Sequence, residues 1–160
     1  MPVDLCCMGG IDQPPAEAGP VEADALVALE QRGLEDSELS VVLTDDETIQ
    51  QLNRDYRGID KPTDVLSFAQ QEADGPASGV LGDLIISLPT AQRQADERGH
   101  PLAVEVRILL VHGLLHLLGF DHEEDEERKE MAAAEQVLLA ALPVGPQGPT
   151  TTGLVSLGES

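Results

Sequence analysis

The sequence predicts an α+β fold: a small mixed β-sheet covered by helices, with a three-histidine metal site on a central buried helix. Three observations carry this. Short runs of β-branched and aliphatic residues alternate with segments of helical periodicity, but without the strict strand–helix–strand rhythm of an all-parallel sheet. Residues 102–118 hold the most apolar stretch of the chain, which marks a helix enclosed by the rest of the protein. Three of the four histidines fall in residues 111–122, VHGLLHLLGFDH, at the end of that segment.

Taken in order, residues 2–7, PVDLCC, suit a short strand, and the breaker-rich residues 9–20, GGIDQPPAEAGP, suit a loop. Residues 21–32 place Val21, Ala25 and Leu29 at helical spacing with Leu26 beside them, and Gly33 supplies a stop. Residues 38–43, ELSVVL, make a strand. Thr44 and Glu47 have the spacing of a capping box, so a helix is expected over residues 45–54, burying Ile49 and Leu52. Residues 55–63 read as a polar loop holding Gly58 and Pro62, residues 65–69 as a strand, and 70–79 as an acidic loop. Residues 80–88, VLGDLIISL, read as the most buried strand. Pro89 suits the first turn of the next helix, which Gly99 or Pro101 ends. The central helix spans 102–118 and a final helix 124–141. Residues 143–160 are rich in Gly, Pro, Thr and Ser and read as a disordered tail, leaving one domain over residues 1–142.

Composition narrows the classes. The apolar run from Ile108 to Leu118 is well short of the roughly 20 residues that cross a bilayer. The N-terminus has no basic segment and Asp4 interrupts it, so no secretory signal is expected. Cys6 and Cys7 are adjacent and cannot build a disulfide framework. Together these features point to the cytoplasm. The 9 basic residues stand against 30 acidic ones, a net charge of −21. Such a surface repels polyanions, which argues against nonspecific binding to nucleic acid and against an anionic membrane. Two lysines beside seven arginines, with few aromatics, also fit adaptation to a salty cytoplasm.

His112 and His116 are four residues apart, so a helix projects both imidazoles from one face, one turn apart. On a continuing helix His122 would stand roughly 240° further round from His116. The helix must therefore end first, and Gly119 is the natural stop. A lone core histidine is ordinarily just hydrogen-bonded, but three at this spacing suit one metal ion. Imidazole serves zinc, nickel, copper or iron, and three protein ligands without cysteine match a catalytic zinc with an open position. Three neutral ligands also leave the charge of the ion unneutralised, free to polarise a phosphoryl or carbonyl oxygen. A peptidase of the HExxH type needs glutamate after the first histidine. Gly113 stands there, for close packing or close approach of substrate. Asp121 either orients a ligand from behind or caps the final helix. The acids at 123–127 and Glu130 read as the solvated start of that helix.

A second feature is residues 53–64, NRDYRGIDKPTD, where Arg54, Arg57 and Lys61 cluster beside Tyr56 in an otherwise acidic chain. The planar guanidinium fork fits phosphate oxygens. The alternative is that Arg57 pairs with Asp60 or Asp64 to hold the turn.

These residues together resemble a known family. His112-Gly113, His116-Leu117 and Gly119-Phe120-Asp121-His122 look like the signature of the YbeY family, bacterial single-strand-specific endoribonucleases also called rRNA maturation factors. Tyr56-Arg57-Gly58, Asp60-Lys61-Pro62-Thr63-Asp64 and Val65-Leu66-Ser67-Phe68 resemble its second motif, and Leu81-Gly82-Asp83-Leu84-Ile85-Ile86-Ser87 its third. The likeness covers about residues 1–142. It implies one zinc ion, or another divalent transition metal, on His112, His116 and His122, faced across a cleft by Arg57. It implies 16S rRNA 3′-end maturation and ribosome quality control, with single-stranded RNA or an rRNA precursor as substrate. The small ribosomal subunit and a ribosomal protein on it are the implied partners. Arg57 is then expected to stabilise transition-state charge, and His112 to act as ligand and in proton transfer. A metal-bound imidazole is a poor base, so the general base is left open. Arg54, Arg57 and Lys61 are the expected substrate-binding residues. Phe120 stands where the family often has tyrosine, and Ala69 where proline often follows Ser67-Phe68. The other readings are a metal-dependent hydrolase of a small molecule or peptide, and a non-catalytic ribosome-biogenesis factor with a structural metal. RNA affinity rests on phosphate contacts, so in this chain it must be local to Arg54, Arg57 and Lys61 or supplied by a partner.

The high-salt reading is checked by thermal melts and activity in dilute and concentrated salt. It expects both to rise with salt, and maxima in dilute buffer overturn it.

Overall fold

In the computed structural model, residues 3–34, 36–69, 80–118 and 125–141 are described. The expected loop 70–79, the Gly119 stop, Asp121, His122 and the tail 143–160 lie outside the described residues. Four runs rich in β-branched and aliphatic residues pair into one sheet: β1 (Val3–Cys7), β2 (Glu38–Thr44), β3 (Val65–Ala69) and β4 (Val80–Ser87). The order is β1-β2-β4-β3. β1, β2 and β4 run parallel, and β3 is antiparallel on β4, so the sheet is mixed as expected.

Among the described residues five α-helices cover it: α1 (Val21–Gln31), α2 (Asp46–Arg57), α3 (Leu88–Arg98), α4 (Leu102–Leu117) and α5 (Asp125–Ala141). Alternation along the strands sends Leu39, Val41, Leu43, Leu84 and Ile86 into one core with α1, α4 and α5. It sends Val42, Leu66 and Ile85 to the opposite face, against Ile49 and Leu52 of α2. β4 is flanked by β2 and β3, and Leu84 through Ser87 are all buried, in line with its expected place as the most buried strand.

Two local expectations are corrected. The cap of α2 is Asp45 rather than Thr44: its carboxylate accepts the Thr48 N–H at 2.9 Å, while the buried Thr44 hydroxyl donates to the Met8 carbonyl at 3.2 Å. Thr44 still belongs to β2, so its side chain is committed to the residue that follows β1. The helix also runs past Arg54, because polar residues do not break a helix and the first position in the left-handed conformation is Gly58, at φ 73°. Tyr56 and Arg57 therefore sit in the last turn of α2 rather than in a loop. α3 starts on the Ser87 hydroxyl with Pro89 in its first turn and ends at Gly99, as its sequence implies.

The helix starts are joined by Asp46. Its carboxylate accepts from the Ser87 and Thr90 hydroxyls at 2.6 Å each and from Arg93 Nη2 at 2.9 Å, tying α2 to the β4–α3 junction. Burial pushes the Asp46 pKa up, but those three donors outweigh it and hold it below the usual carboxylate value.

From Ala103 to Leu117, every residue of α4 is buried except His112 and His116. That stretch nevertheless contains Glu105 and Arg107. Glu105 meets Arg98 Nη1 and His100 Nε2 at 2.6 Å each, and Arg107 Nε donates to the buried Asp24 of α1 at 3.0 Å. Burial raises the Asp24 pKa and the Arg107 cation opposes that rise. No single described helix is long and apolar enough to cross a membrane.

Removing one partner of a buried pair strands the other. Arg107→Ala is expected to cost roughly 3–5 kcal/mol in chemical denaturation. The Asp46 pKa is depressed, so its stabilisation is present at neutral pH and lost as pH falls below about 4. Asp46→Asn should flatten that acid limb in melts taken across pH.

Candidate metal centre

Between Ala103 and Leu117, the histidine face is the part of α4 that is only partly buried. The two rings meet edge to face with centroids 4.6 Å apart, and His112 Nε2 and His116 Nε2 stand 3.1 Å from each other. Two nitrogens, each about 2.0–2.1 Å from one tetrahedral ion, stand about 3.3 Å apart, so the spacing fits two donors to one metal. Facing lone pairs at this distance repel unless they share a proton or a cation. Behind the pair, His112 Nδ1 lies 3.4 Å from Glu135 Oε2 on α5. The His112 side chain is 32% exposed and that of Glu135 15%. A carboxylate here accepts the Nδ1–H, leaving the Nε2 lone pair directed at His116.

Among the described residues no group of three or more His, Cys, Asp or Glu is set to hold a metal. The described residues supply two converging donors, and His122 is outside the described residues. Glu135 was not among the residues singled out from sequence, because no spacing rule links positions 112 and 135. The available signal was an acid in an apolar stripe: Glu135 falls between the buried Met131 and Leu138 at helical spacing.

Gly113 faces the sheet. A Cβ there would lie 2.8 Å from Leu84 Cδ2, 3.2 Å from Val65 Cγ2 and 3.3 Å from Ser67 Oγ, and the Ser67 hydroxyl donates to the Gly113 carbonyl at 3.1 Å. Of the two roles expected for this glycine, close packing is the one realised. A glutamate at 113 would be driven into β3 and β4, so the HExxH base has no room in this fold.

The basic cluster lies at the end of α2. Arg54, Arg57 and Lys61 are exposed, and Tyr56 is 71% exposed with its ring edge-on to Phe68 at 5.4 Å. Arg54 Nε pairs with Asp55 at 3.3 Å. The alternative in which Arg57 pairs with Asp60 or Asp64 is not what holds the turn. The Asp60 carboxylate accepts from Gln50 at 3.0 Å. The Asp64 carboxylate accepts from the Val65 N–H at 2.7 Å and from Gln94 at 3.2 Å. The buried Asn53 donates to the Lys61 carbonyl at 2.9 Å. Among the described residues no ion pair engages Arg57. The edge strand β3 links the two groups: Phe68 contacts Tyr56 on one face, and Ser67 bonds Gly113, beside His112, on the other.

Gly113→Ala should destabilise the protein by about 1–3 kcal/mol through overpacking, read by urea denaturation. Gly113→Glu should fail to fold and should show no peptidase activity.

The model of the endoribonuclease YbeY family matches residues 21–143. The Endoribonuclease YbeY of Heliobacterium modesticaldum is 52% identical over 131 residues, covering 74% of this chain and 79% of its own. That of Aquifex aeolicus is 50% identical over 123 residues, covering 76% and 81%. The solution structure of TM1509 from Thermotoga maritima superposes with a TM-score of 0.62 at 24% identity, over 99% of this chain and 95% of that one, which shows a shared fold. With a family match over residues 21–143 and about half of the aligned residues identical to those relatives, this chain belongs to the YbeY endoribonuclease family.

Proposed function

We propose that the protein is a zinc-dependent, single-strand-specific endoribonuclease acting in 16S rRNA 3′-end maturation and ribosome quality control. The observation that carries this reading is the convergence of His112 and His116 Nε2 on the partly buried face of α4, in a chain of this family. His112 and His116, with His122, would hold the ion. When bound, zinc supplies the Lewis-acid charge that hydrolysis of a phosphodiester needs.

The chain's own residues do the rest. His112, with its Nδ1 proton answered by Glu135, offers the site its Nε2 lone pair. Arg57 presents an exposed guanidinium without an acidic partner among the described residues, suited to the charge that builds on a phosphate in the transition state. Lys61 adds a cation nearby, and Arg54 adds less because Asp55 answers it. Tyr56 offers an exposed ring face on which an unpaired base stacks, which favours single strands over duplex. The charge of −21 repels RNA at a distance, so a basic ribosomal protein on the small subunit is the partner that fits this surface and brings the RNA to the site. That work belongs in the cytoplasm.

His116→Ala should lose the bound zinc and the cleavage of single-stranded RNA together, by metal analysis and gel assay. Cleavage retained by the metal-free variant would overturn the proposal. Arg57→Ala should keep its zinc and its melting temperature while turnover falls by roughly 100-fold. An equal loss of folding would assign Arg57 a structural role instead.

A further inference from the structure

We infer that Glu135 is a positioning residue for the histidine pair: it fixes the tautomer and orientation of His112 and thereby sets the affinity of the site for a divalent transition metal. The inference rests on the zinc reading above and concerns a residue of the final helix outside the three family motifs.

The contact is specific. Glu135 Oε2 stands 3.4 Å from His112 Nδ1, the nitrogen turned away from His116, and Nε2 of the same ring stands 3.1 Å from His116 Nε2. The two nitrogens of one ring thus have divided tasks. A carboxylate takes only an N–H, so the proton sits on Nδ1 and the lone pair on Nε2. Imidazole in water favours the opposite tautomer, with its proton on Nε2, where it would block a metal. The side chain is 15% exposed and lies in the stripe between Met131 and Leu138, where an apolar residue would pack at no desolvation cost. Among the described residues no lysine or arginine pairs with it, and His112 is the partner that answers its charge. A carboxylate behind a histidine also raises the basicity of the donor nitrogen. Because α5 packs on α4 beside this pair, metal loading and α5 docking are linked through one hydrogen bond.

The test uses the full chain. Zinc affinity is measured by chelator competition at fixed pH. The tautomer of His112 is read from 15N-histidine NMR of the metal-free protein, assigned with His112→Asn. Glu135→Ala should weaken zinc binding by about 10–100-fold with its circular dichroism unchanged, and should shift His112 toward the Nε2–H form. Glu135→Gln, which keeps an acceptor oxygen and loses the charge, should fall between wild type and alanine in both readouts, and it decides the matter if the alanine variant does not fold. Unchanged affinity with an unchanged tautomer overturns the inference. A wild-type chain that binds no zinc would overturn the zinc reading and the affinity claim with it. The NMR then separates the two: Nδ1–H in wild type, lost in the variants, upholds the positioning role, and Nε2–H in wild type removes it.

Discussion

The structure depends on the enclosure of α4. A helix surrounded by protein cannot leave polar groups unanswered, since each buried and unpaired group costs several kcal/mol. Glu105, Arg107 and His112 are accordingly met by neighbours on other elements. Glu105 is met by Arg98 and His100 at the α3–α4 elbow, Arg107 by Asp24 of α1, and His112 by Glu135 of α5. Leucines on α4 slide past one another at little cost, but these three contacts hold only at one register. They dock three elements on one helix and leave its histidine face only partly buried.

The same helix is held close to the sheet by a missing side chain. Gly113 lets α4 approach β3 and β4 until Leu84, Val65 and Ser67 fill the space a Cβ would take. That approach places the Ser67 hydroxyl on the Gly113 carbonyl and sets the edge strand beside the histidine pair. On the opposite face of the same strand, Phe68 supports Tyr56 at the end of α2. The imidazoles and the basic turn thus lie on two sides of one strand edge.

Charge is managed locally rather than globally. In a chain with 30 acids, many carboxylates have structural tasks: Asp45 caps α2, Asp46 joins two helix starts, Asp64 caps β3 and Asp60 holds Gln50. Those acids are engaged by neutral donors and by Arg93, and Arg57 is exposed with no ion pair among the described residues.

Sequence by itself determined the element order, the mixed character of the sheet, the enclosure of α4, the placing of His112 and His116 on one face, and the family. These follow from periodicities of two and 3.6 residues, from glycine stops and from motif spacing, all short-range quantities along the chain. The end of α2 was misplaced because composition marks a polar segment without saying which residue takes the left-handed turn, and Gly58 took it. Only the tertiary structure decided that Gly113 serves packing, that Arg57 pairs with neither Asp60 nor Asp64, that Asp24 answers Arg107, and that Glu135 stands behind His112. Each of those facts is a contact between elements distant in sequence, 23 residues for His112 and Glu135 and 83 for Arg107 and Asp24. A local pattern records that a side chain is buried, whereas its partner is chosen by how whole helices dock.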